Sequence, residues 1–145
     1  MKLKFWKMSG AGNDFVCIDN RQGRVRLSKK QRARLCHRQF GVGADGLLLL
    51  ENPKKSQDVD FVMGYYNSDG GIAEMCGNGA RCFARFVQKV TRTRKKTLVF
   101  ATPAGPITSR FFGDEVRVDL TPVEGGRLDI PVRGDFGALV VHYAD

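Results

Sequence analysis

A cysteine set directly before Gly-Asn-Gly, in "AEMCGNGARCFARF" (Ala73 to Phe86), is the first chemistry this chain offers. From Gly77 onward the apolar residues Ala80, Phe83, Ala84, Val87 and Val90 fall three and four apart, the spacing of one helix face, and Cys82 and Phe86 widen the stripe. The pattern predicts a helix buried on most sides, whose first turn is Gly77-Asn78-Gly79-Ala80. The first N–H groups of a helix find no carbonyl within it, and the aligned peptide dipoles leave partial positive charge there. Glycines let a ligand approach that backbone, so such an end can hold a carboxylate or phosphate. At or just before this end, Cys76 would be favoured as thiolate, the reactive form. The alternative for Cys76 is a small residue that merely precedes a glycine turn, and on local chemistry both readings stand. Cys82, six residues on, would point roughly 240° away around a helix; it cannot face the same ligand and is expected in the core.

Two asparagines extend the pattern. "GAGNDF" (Gly10 to Phe15) and "YNSDGG" (Tyr66 to Gly71) each read as a turn at a strand end with an Asn among small residues. Asn is common in turns because it tolerates left-handed geometry and bonds its own backbone. It also offers a donor and an acceptor together, which suits the ammonium and carboxylate of an amino acid. A pocket of Asn side chains, bare helix amides and one activated thiol would suit a small zwitterion whose Cα proton is to be removed.

The elements that must position these groups are short. "KLKFWKM" and "DFVCID" read as strands separated by the turn "SGAGN". Ser28 with Gln31 forms a capping-box pattern, and Gly41 is a stop signal, so a basic helix is expected over 29 to 39 with Ala33, Cys36 and Phe40 packed inward. The run Leu47 to Leu50 suits a buried strand, and "VDFVMGYY" another. "KTLVFAT", "PITSRFF" and "EVRVDLT" follow the second helix, the last two joined by a hairpin turn at Gly113-Asp114, with Val116, Val118 and Leu120 on one face. Beyond Pro122 the chain is punctuated by Pro and Gly, and strand character resumes at Ala138 to Tyr143. A soft boundary is therefore expected near Pro122, dividing 1–122 from 123–145. Strands dominate without regular alternation with helices, so the fold class is α+β. "GVGADG" is not a dinucleotide fingerprint, because a strand follows it, and no P-loop pattern occurs.

The chain has 145 residues and 42% hydrophobic content, enough for a core. It contains no apolar run of the roughly 20 residues that span a bilayer, and its start does not resemble a signal peptide. A soluble, cytoplasmic protein is expected. Four cysteines without a zinc-type CxxC pair, and two histidines without ligand spacing, lead us to expect reduced thiols, no metal and no cofactor. The net charge is +9, concentrated in Arg21 to Gln39 and in "TRTRKK" (Thr91 to Lys96). Neither cluster has the interleaved aromatics of a single-strand binding surface. They read as a solvated face or an attraction for acidic small molecules, and nucleic acid is not the expected partner.

"KMSGAGNDF", "GVGADGLLLL", "NSDGGIAEMCGNGARCFARF" and "ATPAGPI" with "VRVDLTP" resemble, in order and spacing, the N-terminal half of diaminopimelate epimerase. The resemblance implies an isomerase that needs no cofactor and interconverts LL- and meso-diaminopimelate in lysine and peptidoglycan-precursor synthesis. It implies two cysteines acting from opposite faces of Cα, with Cys76 as one of them. Gly77 and Asn78 would hold the α-carboxylate, and Asn13 and Asn67 would contact substrate. It also implies a mixed sheet or barrel wrapped around a central helix, as one of two pseudo-symmetric halves, and a homodimer of the whole enzyme without membrane partners.

Departures from the family pattern are informative. Ser9 stands where many members carry His and Gly46 where some carry Gln, so neither is assigned a ligand contact. No second cysteine motif is present, because Cys17 lies in a strand and Cys36 in the basic helix. The expectation is an incomplete chain, inactive alone. Rival readings are another isomerase of the same superfamily, proline racemase-like or phenazine-biosynthesis-like, and a basic module that binds a ligand or nucleic acid without catalysis.

Overall fold

The computed structural model describes residues 3–120, 127–134 and 137–143. In chain order the elements are β1 (Trp6–Gly10), β2 (Asn13–Asp19), α1 (Lys29–Cys36), β3 (Gly46–Glu51), β4 (Phe61–Asn67), α2 (Gly77–Thr91), β5 (Thr97–Thr102), β6 (Gly105–Phe112), β7 (Glu115–Val118), β8 (Arg127–Gly134) and β9 (Gly137–Tyr143). The first seven strands form one sheet in sequential order, and β8 and β9 form a separate antiparallel pair. The pairs β2–β3 and β4–β5 are parallel, each with a long connection between its strands, and the other pairs of the large sheet are antiparallel. The expected mixed sheet is therefore present. Helix α2 packs on β1, β2 and β3 and also on β6 and β7, so the sheet curls around it as a half-barrel.

Side-chain alternation explains why the central strands are apolar at every position. Phe15 and Cys17 of β2, Leu48 and Leu50 of β3, and Met63 and Tyr65 of β4 face inward to a cluster with Ala80, Phe83, Phe86 and Val87 of α2. Val16, Ile18, Leu47 and Leu49 face the other way and pack with Cys36, Ala44 and Leu35 beneath α1. A strand buried on both faces shows no polar alternation, hence the unbroken run Leu47 to Leu50. Each fully buried Leu or Phe contributes about 1.5–3 kcal/mol of hydrophobic stabilisation.

Helix α1 starts as expected. Ser28 accepts from the Gln31 N–H, and the Gln31 side chain accepts from the Ser28 N–H. It ends at Cys36 rather than near residue 39, because His37 takes extended backbone and its Nδ1 accepts from the N–H groups of Gln39 and Phe40, each at 3.2 Å. The chain then doubles back, with Val42 N–H donating to the Leu35 carbonyl at 2.9 Å. Gly41 is required by close approach rather than as a helix stop: a Cβ there would lie 2.0 Å from the Arg34 carbonyl oxygen. Phe40 is thereby turned outward, 62% exposed, against the His37 ring and under the Arg34 guanidinium. Leu120, also expected on a buried face, is 63% exposed.

Three strand expectations need adjustment. β1 begins and ends later than expected and leaves only Ala11 and Gly12 as the turn, both with positive φ (54° and 85°), as a tight hairpin requires. Asn13 therefore opens β2, opposite Gly10, instead of standing in a loop. β8 was not expected, since Pro131 lies within it; Pro is tolerated on edge strands, and a two-stranded pair has only edges. The boundary expected near Pro122 falls outside the described residues. No helix among the described residues is long and apolar enough to cross a membrane.

The end of β1 is pressed against the start of α2. A Cβ at Gly10 would lie 3.0 Å from the Cys82 sulfur and 3.1 Å from the Asn78 carbonyl oxygen. Gly10→Ala is expected to destabilise by about 1–3 kcal/mol through overpacking, read as a lower urea midpoint. An unchanged midpoint would show that the contact has slack.

Candidate active site

Cys76 is the N-cap of α2. Its backbone is extended (φ −148°, ψ 117°), its carbonyl takes the Ala80 N–H at 2.8 Å, and its sulfur accepts from the Gly79 N–H at 3.3 Å. The thiol thus does the work of a capping Ser or Asp, and is half-buried where Cys17, Cys36 and Cys82 are buried. Burial pushes the Cys82 thiol up to about 11, and raises Cys17 and Cys36 as well. Those three stay protonated and packed at neutral pH, which fits the core role expected for Cys82. The N–H groups of Gly77 and Asn78, the first two of the helix, bond to no partner among the described residues. Asn78 Oδ1 accepts from Arg81, so the residue offers its amide N–H while its side chain is engaged.

Register brings the other expected residues to the same end of the sheet. Asn13 pairs with Gly10, whose backbone touches Asn78; Phe15 pairs with Gly46, and Gly46 pairs with Asn67. Phe15 in turn packs on Gly79, where a Cβ would lie 3.4 Å from both the Phe15 ring and Cys76 Cβ. Asn13 Oδ1 is buried without a hydrogen-bond partner among the described residues, a costly arrangement unless something else supplies a donor. Asn67 is exposed at the sheet rim, where its backbone closes the "NSDGG" turn: its N–H donates to the Gly71 carbonyl at 2.9 Å, and its carbonyl accepts from Gly70 at 2.8 Å. Gly70 packs on the first turn of α1, with positive φ and a Cβ position 2.1 Å from the Lys29 carbonyl oxygen.

Two features escaped sequence reasoning. Tyr65 lies in the cluster against which Cys76 packs, and burial first, then the charge of Cys76, pushes its phenol up to about 12. The alternation Met63, Tyr65 marks it as facing α2, but only the strand register shows what it meets. The second feature is a charge clamp. Asp14 and Asp45 each accept the other's backbone N–H at 3.0 Å, Arg38 bridges both carboxylates at 3.0 and 2.7 Å, and Lys7 reaches Asp14 at 2.8 Å. This fixes the start of β2 beside the start of β3, and so sets Asn13 near Gly46. Much of the basic segment is engaged in this way: Arg21 pairs with Asp19, Arg32 lies over the Tyr66 ring, and Arg38 serves the clamp.

A family model described as diaminopimelate epimerase matches residues 5–132. The chain belongs to that family. It is 46% identical over 125 residues to a diaminopimelate epimerase from Variovorax paradoxus, covering 84% of this chain and 42% of that one. It is 44% identical over 140 residues to one from Chromobacterium violaceum, covering 96% and 50%. The chain spans about half the length of the curated diaminopimelate epimerases it matches. Among solved structures, a hydroxyproline epimerase from Agrobacterium vitis with bound trans-4-hydroxy-L-proline superposes with TM-score 0.72 at 13% identity, over 98% of this chain and 48% of that one. A phenazine biosynthesis protein of the PhzF family from Bacillus anthracis gives 0.68 at 16%, over 94% and 46%. These likenesses show the fold: the diaminopimelate epimerase-like α+β architecture read from the sequence.

Arg38 first, then Lys7, holds the Asp14 carboxyl far below the ordinary carboxylate range of about 3.9. A depressed pKa stabilises the fold fully above the unfolded value, and that contribution is lost as pH falls through the native one. A carboxyl NMR titration should therefore find Asp14 ionised after ordinary aspartates have protonated. Asp14→Asn should cost about 1–2 kcal/mol at neutral pH and flatten the acid limb of stability. Ordinary titration of Asp14 would contradict the clamp.

Proposed function

We propose that these residues form one face of an active site that epimerises LL-2,6-diaminopimelate to the meso form, with Cys76 exchanging the Cα proton. One observation carries the reading: the half-buried thiol of a diaminopimelate epimerase-family chain caps a helix whose next two N–H groups have no partner among the described residues. An amino acid placed there would direct its α-carboxylate to the Gly77 and Asn78 amides. Charge grows on that carboxylate as the Cα proton leaves, and fixed N–H dipoles stabilise it more in the transition state than in the ground state. Asn13 Oδ1, buried and without a partner among the described residues, would accept from the α-ammonium, and Asn67 would contact substrate at the rim.

Inversion requires two groups. The Cys76 thiolate takes the proton from one face, the electron pair remains on Cα and the carboxylate, and an acid on the opposite face returns a proton, so no oxidant or cofactor enters the balance. Cys17, Cys36 and Cys82 are buried and cannot confront Cys76 across a substrate. The opposing acid, a second cysteine in this reading, therefore belongs to protein outside these 145 residues. Homodimerisation of the whole enzyme and a role in lysine and peptidoglycan-precursor synthesis are part of the same proposal. The family match favours diaminopimelate over the cyclic substrate of the hydroxyproline epimerase, whose likeness is one of fold.

The 145-residue chain alone is expected to give no meso product from LL-diaminopimelate by chiral chromatography. Conversion that Cys76→Ala abolishes would refute the need for an outside acid. Conversion that survives Cys76→Ala would remove Cys76 from the reaction.

A further inference from the structure

No acid stands in the first turn of α2, where the positive end of a helix would favour one. The charged group that reaches this turn is instead a cation. Arg81 follows Gly77 by four residues and Asn78 by three, and helical side chains lean toward the helix start, so its guanidinium is laid back over both. It donates to Asn78 Oδ1, and its Nη1 lies 3.8 Å from a Cβ position at Gly77. The missing Cβ leaves that space to Arg81 and to Leu120, whose Cδ2 is 3.3 Å from the same position. Arg81 is half-buried and forms no ion pair among the described residues. Glu115 and Arg117 of β7 line the same groove with opposite charges, and Glu74, before Cys76, is exposed. A cation gathered against the positive end of a helix is self-repulsive unless an anion joins them. Asn13 Oδ1, buried without a partner among the described residues, independently calls for a ligand group at this end of the sheet.

We infer that Arg81 is a positioning residue for the substrate α-carboxylate: anchored by the Asn78 side chain, it lays a full positive charge over the amides of Gly77 and Asn78. This rests on the proposed seat of the carboxylate beside Cys76. The partial charges on two amides act over a short range, whereas a guanidinium attracts an anion before contact and keeps its charge at every working pH. It draws the carboxylate to the helix start and steadies the negative charge that grows there as the Cα proton leaves. Asn78 then has two tasks: its side-chain oxygen holds the guanidinium in place, and its N–H serves the carboxylate.

Iodoacetate and iodoacetamide alkylate a thiolate by the same displacement and differ by a carboxylate against a neutral amide. The ratio of their rates at one cysteine therefore reads the local field, while the thiolate fraction and the access of that thiol cancel. The test is this ratio for Cys76 in the folded 145-residue chain at neutral pH, resolved by peptide mass mapping. In the parent it should exceed the ratio for N-acetylcysteine. In Arg81→Gln it should fall about three- to tenfold, the range for one charge close to a partly wetted site. Arg81→Lys keeps the charge and should stay within about twofold of the parent. Arg94→Gln, at an exposed position beyond the far end of α2, removes the same net charge and should leave the ratio in place. A parent ratio no higher than that of N-acetylcysteine, an unchanged ratio in Arg81→Gln, or an equal fall in Arg94→Gln would overturn the role of Arg81 alone. So would a fall in Arg81→Lys as deep as in Arg81→Gln. Labelling of Cys76 by iodoacetamide no faster than that of Cys17, Cys36 and Cys82 would overturn the reading of Cys76, and this inference with it. If Arg81→Gln does not fold, salt decides: the parent ratio should drop as salt is raised, and a rise, as between a free thiolate and iodoacetate, would overturn the inference.

Discussion

A helix that begins inside a curled sheet must leave its first amides without backbone partners, and the rest of this structure is arranged around that constraint. Cys76 answers one amide, that of Gly79, with a sulfur where Ser or Asp would ordinarily serve. The amides of Gly77 and Asn78 have no partner among the described residues. An apolar cluster supplied by both ends of the sheet holds α2 in place, so these N–H groups are fixed in direction before any anion arrives. Preorganisation of that kind is what lets a few dipoles act on a transition state.

Positioning of the flanking groups is divided between sterics and charge. Gly10 and Gly79 have no side chain, so the β1–β2 hairpin and Phe15 can approach the helix start closely. The Asp14–Asp45 pair, bridged by Arg38, ties the beginnings of two parallel strands together at the point where Asn13 and Gly46 stand. Like charges side by side are tolerated because each carboxylate also accepts the other strand's N–H. A basic segment that reads in sequence as a solvated patch thereby has a structural part to play.

What the sequence revealed and what it hid follow from how local each interaction is. The helical stripe from Ala80 to Val90, the capping box at Ser28 and the unbroken Leu47 to Leu50 are encoded within a few residues, and each appears where its spacing places it. The end of α1 was misplaced because a single side chain, His37, captures the next amides, an event with no periodic signal. Phe40 went outward with it. The ring of Tyr65 over Gly46, and Asp14 beside Asp45, depend on strand register between segments tens of residues apart; nothing in either segment alone announces the partner. The helix start at Cys76, Gly77 and Asn78 is legible because its signals are local, whereas Asn13, expected in a turn, opens β2, and the convergence of these residues on one sheet end is a product of topology.

The central claim is that Cys76 is the substrate-facing thiol. An aziridine analogue of diaminopimelate, which carries the substrate's recognition groups and alkylates the base it meets, tests this most directly when adducts are located by peptide mass mapping. The account predicts a single adduct on Cys76 among the four thiols of this chain, suppressed by excess diaminopimelate. Label spread evenly over Cys17, Cys36, Cys76 and Cys82, or insensitive to diaminopimelate, would contradict it.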